Sequence, residues 1–275
     1  MMEPDLHFHG LLSPTTQPVT AFEPAALFSG GENGVVLDIS SPTTLLEELS
    51  LPQTVSLSGQ PVGTVLDQSG NGNDMAAYAL TARPQLTVGP GGERALVFDG
   101  SNDMISCPIS FLANSPNATV LIAFQGNQSA GSQYLVAEGA MNTGQMTALF
   151  TPVRATGGEN ILRPYVRTDA GSVLVNNENI GIDWHVSSPA VVGIVLENGL
   201  TQGFQNGVPM APQFQHTWQS IDVMNSFCLG GTFRNTPSLF SMASVYGLIA
   251  IDRALTQSEL ADATSWLAQR AGISV

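Results

Sequence analysis

Apolar residues along this chain come in short bursts rather than long stripes. "GVVLD" (34–38), "PVGTVLD" (61–67), "RALVFDG" (94–100), "ATVLIAFQ" (118–125), "SQYLVAEG" (132–139), "MTALF" (146–150), "LRPYVR" (162–167), "SVLV" (172–175), "AVVGIVLENG" (190–199), "TQGFQNGVP" (201–209) and "SVYGLIAID" (244–252) are rich in β-branched or aromatic residues. Gly, Asn, Asp or Pro bounds each of them, which is the pattern of strands joined by turns. Some alternate, whereas "TVLIAF" and "AVVGIVL" are nearly continuous and are expected inside a two-layer core. Asn-Gly pairs at Asn33-Gly34, Asn71-Gly72, Asn198-Gly199 and Asn206-Gly207 are hairpin-type turn signals, because both residues tolerate positive φ.

Two segments break the strand rhythm. In "FEPAALFSGG", Pro24 suits a first helical position and Gly30-Gly31 a stop, which predicts a short N-terminal helix. In "ALTQSELADATSWLAQRAG", Thr256 and Glu259 form a capping box and Leu255 faces Leu260 as a hydrophobic staple. Leu260, Ala263, Trp266 and Leu267 then share one helical face, and Gly272 ends the helix. The expected fold is all-β: an antiparallel β-sandwich over residues 23–275 with a short helix at its start and a capped helix at its end. Residues 1–22, which include "SPTTQPVT", read as an arm with little to bury, suited to anchoring or oligomerisation.

Composition narrows the function. Twenty-two acidic residues stand against 8 basic ones, all of them Arg, for a formal charge of -14. A phosphate backbone is bound by neutralising it with cations, so nucleic acid is not an expected partner, and anionic membranes are disfavoured for the same reason. No run approaches the ~20 apolar residues of a membrane span. The start, "MMEPDLHFHG", lacks the basic and apolar regions of a signal peptide. Cys107 and Cys228 lie in apolar segments and read as buried free thiols rather than a bridge.

The stretch "DQSGNGND" (67–74) looks most like a site. As an EF-hand it fails, because the twelfth position falls on Tyr78 where a bidentate Glu is required. A phosphate loop fails for want of a Lys and a following helix. A looser calcium site remains, drawing on Asp67, Asn71, Asn73 and Asp74 with Asp99 and Asp103 of "FDGSND". Against it stands a plain turn, in which Asp and Asn side chains bond their own backbone.

Catalytic patterns are missing. Glu47 and Glu48 are adjacent, so on a strand they would face opposite ways, not one cleft. There is no G-x-S-x-G elbow, and the four His (7, 9, 185, 216) offer little for a triad or a zinc centre, "HFH" reading as part of a packing arm. The chain is therefore expected not to be an enzyme. Carbohydrate recognition asks for an exposed aromatic beside polar groups, and the candidates are Tyr78, His216, Trp218, Phe233, Arg234 and Asn235. Trp184 and Trp266 read as core.

"GQPVGTVLDQSGNGNDMAAYALTARPQL" followed by "RALVFDGSNDMIS" resembles the opening of concanavalin A-like, laminin-G-like jelly-roll modules. "DWHVSSPAVVGIVLENG", "FQNGVP", "CLGG" and "YGLIAIDRALTQSEL" continue the likeness in order, over about residues 25–272. "ALFSGGENGVVLD", "GQPVG" and "LAQRAGIS" are similar to an architecture found in bacteriophage fibre or decoration proteins. The resemblance implies a virion structural protein displaying a lectin-like sandwich, made in the host cytoplasm. It implies anchoring to other virion proteins through the arm, assembly as a homo-oligomer and attachment to host-surface glycans. A bacterial carbohydrate-binding or adhesion module is the alternative, and a glycan-cleaving enzyme the third reading. One departure matters: where many relatives carry aromatics, this chain has Val36, Leu37 and Met104.

Overall fold

The computed structural model describes residues 21–48, 53–111, 115–127, 133–141, 146–154, 160–167, 173–176, 182–183, 188–215 and 224–275. Two antiparallel sheets face each other. The first runs, edge to edge, through Val208–Gln215, Leu200–Gln205, Ala190–Glu197, Ala118–Gly126, Met242–Ile251, Arg94–Asp99 and Gln85–Val88. The second runs through Val173–Asn176, Asn160–Arg167, Met146–Arg154, Val136–Gly139, Ser226–Leu229, Ile105–Cys107, Met75–Ala77, Thr64–Val65 and Leu45–Leu46. This is the expected antiparallel sandwich. The strands that the apolar pattern did not announce, such as Met75–Ala77, Gln85–Val88 and Ile105–Cys107, are only 3–4 residues long. That is too short for an alternation to register.

Met242–Ile251 is the hub of the first sheet. Its whole length lies against Ala118–Gly126, while its other edge is shared: Met242–Val245 pair with Arg94–Asp99, and Gly247–Ile251 pair with Gly34–Asp38. The register shifts between Val245 and Gly247, so Tyr246 is an extra residue and both it and Gly247 turn to the outer face. Gly247 has a reason to be glycine there: a Cβ would come within 3.0 Å of Leu267 Cδ2 on the helix that crosses this face.

That helix, Gln257–Arg270, corrects one expectation. "TVLIAF" and "AVVGIVL" are continuous because both of their faces are covered, not because they fill a two-layer core. Val120, Ile122 and Phe124 point between the sheets with Leu248 and Phe227, whereas Leu121 and Ala123 point outward with Ile249 and Ile251, beneath Leu260, Ala263, Trp266 and Leu267. The body is a three-layer stack of helix, sheet and sheet. The capping box is present, with Thr256 Oγ1 accepting from the Glu259 N–H and the Glu259 carboxylate accepting from the Thr256 N–H. Leu255 and Leu260 are both buried, as a staple requires, and Gly272 follows at φ 67°.

Arg253 locks this end of the molecule. Its guanidinium donates to both oxygens of Glu259 at 2.9 and 2.7 Å, to Glu32 at 3.2 Å and to the Leu27 carbonyl at 3.1 Å. One cation thus ties the helix cap to the turn before the first strand and to Pro24–Phe28, where the short helix expected is a turn of 3-10 helix. The Arg253 hydrogen bonds hold the Glu259 carboxyl down at about 2.

The Asn-Gly signals divide. Asn198-Gly199 and Asn206-Gly207 have both residues at positive φ and close hairpins. Asn33-Gly34 instead leads into a strand, where a Gly34 Cβ would lie 2.0 Å from the Ala250 carbonyl oxygen, and Asn71-Gly72 lies in the Asp67–Asp74 loop. Cys107 and Cys228 are free and buried, and burial pushes the Cys228 thiol up to about 12. Of the expected arm, residues 1–22, the first twenty lie outside the described residues, and Phe22 at its end packs on the helix-covered cluster.

Candidate functional site

The Asp67–Asp74 loop resolves as a fastening. Asp67 Oδ1 accepts from the Val36 N–H at 2.9 Å and the Ser69 N–H at 2.8 Å; Oδ2 accepts from the Ser69 hydroxyl at 2.6 Å and the Asn73 N–H at 3.0 Å. Asp74 Oδ1 takes the Asp67 N–H at 2.8 Å. Asn71 and Asn73 both donate to the Gly34 carbonyl, at 3.2 and 2.7 Å. Each Asp67 oxygen already accepts two donors, which fills its lone-pair capacity. The loop spends its polar groups in buttoning the second sheet to the first strand of the other, which is the Asx-turn reading carried to longer range.

Asp99 and Asp103 do not join it. Asp99 pairs with Met242 and Val36 with Ile249. The stretch of strand from Met242 to Ile249, roughly 20 Å at about 3.3 Å per residue, separates the two turns. The calcium set expected across both turns is therefore not brought together, and among the described residues no group of three or more His, Cys, Asp or Glu is placed to hold a metal ion.

The second turn has its own chemistry. Asp99 Oδ1 accepts from the Ser101 and Asn102 N–H groups at 2.7 and 3.2 Å, and the Asp99 N–H donates to Asp103 Oδ2 at 3.0 Å. Asn102 donates through its side chain to the Thr81 carbonyl. Asp103 is only 7% exposed. Burial, then the neighbouring Asp99 charge, raise its carboxyl to about 6 against the opposing pull of the Asp99 N–H.

Beside this turn the fold gathers rings. Tyr78 donates its hydroxyl to the Asn102 carbonyl at 3.2 Å. Its ring lies 6.2 Å from Phe233, edge-on at 61°, and 6.5 Å from Phe240, nearly parallel at 18°. Tyr78 and Phe233, both candidates from the sequence, thus meet on one cluster, with Tyr78 38% exposed. Phe240 was not singled out by the sequence reading, since nothing local distinguishes it from a core Phe. The cluster stands on the small hairpin Thr232–Arg234 and Thr236–Ser238, with Asn235 at its tip at φ 36°. Alternation sends Arg234 to the face opposite Phe233, where its Nε donates to Ser238 Oγ at 3.4 Å. His216 and Trp218 lie outside the described residues, as do Trp184 and His185.

Glu47, Glu48 and Glu138 have structural partners. Glu47 and Glu48 both lie against Arg83, at 3.8 and 3.7 Å. Glu138 is wholly buried on the inner face beside Phe227 and accepts from the Phe111 N–H at 2.8 Å and the Ser110 hydroxyl at 3.2 Å. Its burial escaped the sequence reading, because only register reveals which way it faces. Val36, Leu37 and Met104 are completely buried, so they are not part of any surface platform.

No protein-family model matches this chain, and no curated protein matches its sequence. Solved structures do share the fold. The Trypanosoma rangeli sialidase in complex with sialic acid is 16% identical with a TM-score of 0.54, over 90% of this chain and 34% of the sialidase. A mutant of that sialidase displaying trans-sialidase activity is 14% identical with a TM-score of 0.55, over 93% and 37%. The binding domain of Paraclostridial Mosquitocidal Protein 1 is 12% identical with a TM-score of 0.52, over 76% and 51%. The chain spans about a third of the sialidase's length and about half of the toxin domain. At these identities the likeness is one of fold, a β-sandwich. No helix among the described residues is long and apolar enough to cross a membrane.

Proposed function

We propose that this chain is a non-enzymatic recognition and display domain, a bacteriophage virion component of decoration or fibre type that presents a lectin-like sandwich to host-surface glycans. The observation that carries the recognition half is the meeting of Tyr78 and Phe233 with Phe240 on one partly exposed cluster, beside backbone and side-chain polar groups of the Asp99–Asp103 turn. Flat rings flanked by hydrogen-bonding groups suit the apolar face and the hydroxyl rim of a sugar. That one neighbour is by name the binding domain of a toxin is a precedent for this sandwich as a recognition unit.

The virion half rests on the likeness of "ALFSGGENGVVLD", "GQPVG" and "LAQRAGIS" to phage fibre or decoration proteins. Anchoring is assigned to residues 1–22, which precede the helix-covered end of the body, in a homo-oligomer or against other virion subunits. A bacterial adhesion module shares the recognition half and differs in what carries it.

Antibody labelling of purified particles in electron micrographs tests the virion assignment, with label expected on the particle surface. For recognition, Phe233→Ala combined with Tyr78→Ala is expected to lower binding to immobilised host polysaccharide at least about tenfold, the scale of losing ring contacts of ~1.4 kcal/mol. Hydrolysis of that polysaccharide by the purified protein would instead establish the enzymatic reading.

A further inference from the structure

A second place on the molecule also has the shape of a ligand site. On the outer face of the first sheet, beyond the end of the helix, lies a recess of about 370 Å³, within the ~300–1,000 Å³ range of small-molecule sites. Its floor is a patch of outward side chains on paired strands: Gln125 opposite Ser244, and Thr87 opposite Ala95. The intervening inward residues Phe124, Val245, Leu96 and Leu86 are fixed in the core. Polar groups set on strands pinned from beneath are held in place before any ligand arrives.

The bulge supplies the wall. As the extra residue of the hub strand, Tyr246 turns to the outer face and stands past the helix terminus beside Ala271, with its hydroxyl 3.5 Å from Gln125 Oε1. Small Ala95 leaves the floor open, and Pro90 and Pro189 close the sides.

Glu93 completes the lining. A Cβ on Gly89, Gly91 or Gly272 would come within 2.8, 2.0 or 2.8 Å of its carboxylate oxygens, so its position depends on three glycines from two separate segments. Its Oε2 accepts from the Gly91 N–H at 3.1 Å. No ion pair is formed with Glu93 among the described residues, and no Lys or Arg lines the recess.

We propose that this recess binds a neutral saccharide. A carboxylate can accept from neighbouring hydroxyls of one sugar in charge-assisted bonds. The Ser244 and Thr87 hydroxyls and the Gln125 amide offer both donors and acceptors, and the Tyr246 ring with the two prolines meets the C–H faces. Carboxylated sugars are rejected, because Glu93 faces them, no Lys or Arg lines the recess, and Arg270, which shares the adjoining hollow with Glu93, is already held by Asp38 at 3.0 Å, on a chain of formal charge -14. The assignment rests on the recognition reading for its ligand class and differs from it in place and in charge preference.

The test is a titration of the isotope-labelled full chain with neutral oligosaccharides (glucose-, galactose- and N-acetylglucosamine-terminated) and with sialylated and glucuronic acid-terminated ones, followed by amide resonances. Neutral sugars are expected to shift the amides of Thr87, Glu93, Ser244 and Tyr246. Glu93→Gln, which keeps the shape between the glycines, is expected to weaken that response at least about tenfold, and Gln125→Ala to weaken it independently. Shifts confined to Tyr78 and Phe233 would overturn the recess and leave the recognition reading standing. A recess response equally strong to sialylated sugars would overturn the charge preference and with it the proposal. No shift with any saccharide would overturn both.

Discussion

The turns Asp67–Asp74 and Asp99–Asp103 are written in nearly the same letters, and the fold gives them opposite work. In the first, a half-buried carboxylate satisfies four donors, one of them the Val36 N–H from the other sheet. In the second, the exposed Asp99 closes a local turn while Asp103 sinks under it, its carboxyl raised to about 6. The difference teaches that an Asp- and Asn-rich turn is defined by where its neighbours' backbone donors lie, not by its composition.

The contrast is broken most forcefully at Asp67. Asp67→Ala leaves the Val36 and Asn73 N–H groups without their acceptor, and is expected to cost about 3 kcal/mol or more in urea unfolding. A loss below about 1 kcal/mol would mean that the loop is not a fastening. Acid titration follows in size. The Glu259 carboxyl is lowered from its ordinary 4.5 to about 2, so its contribution is complete above pH 4.5 and fades as the pH falls toward 2. Because Glu259 is partly solvated, about 1 kcal/mol is expected after screening, absent in Glu259→Gln.

Asp103 has the reverse sign. Its folded form keeps a proton up to about pH 6, above the ordinary 3.8, so stability is expected to fall as pH rises through that window. Asp103→Asn should remove this slope and raise stability at pH 8 by of order 1 kcal/mol. A slope unchanged in the variant would show that Asp103 is not the group responsible. Tyr78→Phe, which removes one exposed hydrogen bond to Asn102, should shift unfolding by at most about 0.5 kcal/mol. Smallest of all is calcium: with Asp67 saturated, millimolar calcium is expected to leave the melting temperature unchanged. A rise abolished by Asp67→Asn would reverse the account of the first turn.

Much of the architecture was legible because it is local or periodic. Strand bursts, the Thr256–Glu259 box and the hairpins at Asn198-Gly199 and Asn206-Gly207 depend on atoms a few residues apart, and each is found. The site was legible only in part. Tyr78 and Phe233 were nameable as exposed-aromatic candidates, but their contact depends on the small hairpin folding back toward the Met75–Ala77 strand end. Gln125, Ser244 and Tyr246 carried no signal at all, since polar residues inside apolar strands look like ordinary outward positions until a bulge and a helix terminus give them a shape to line.

By itself the sequence determined which of the longer segments are strands, where the final helix begins and stops, and that acid outweighs base with no lysine. The tertiary structure alone decided which face each residue shows, because a one-residue shift of register reverses every side chain on a strand. That is why the bulge at Tyr246, the reach of Asp67 to Val36 and the burial of Glu138 appear only once the sheets have paired.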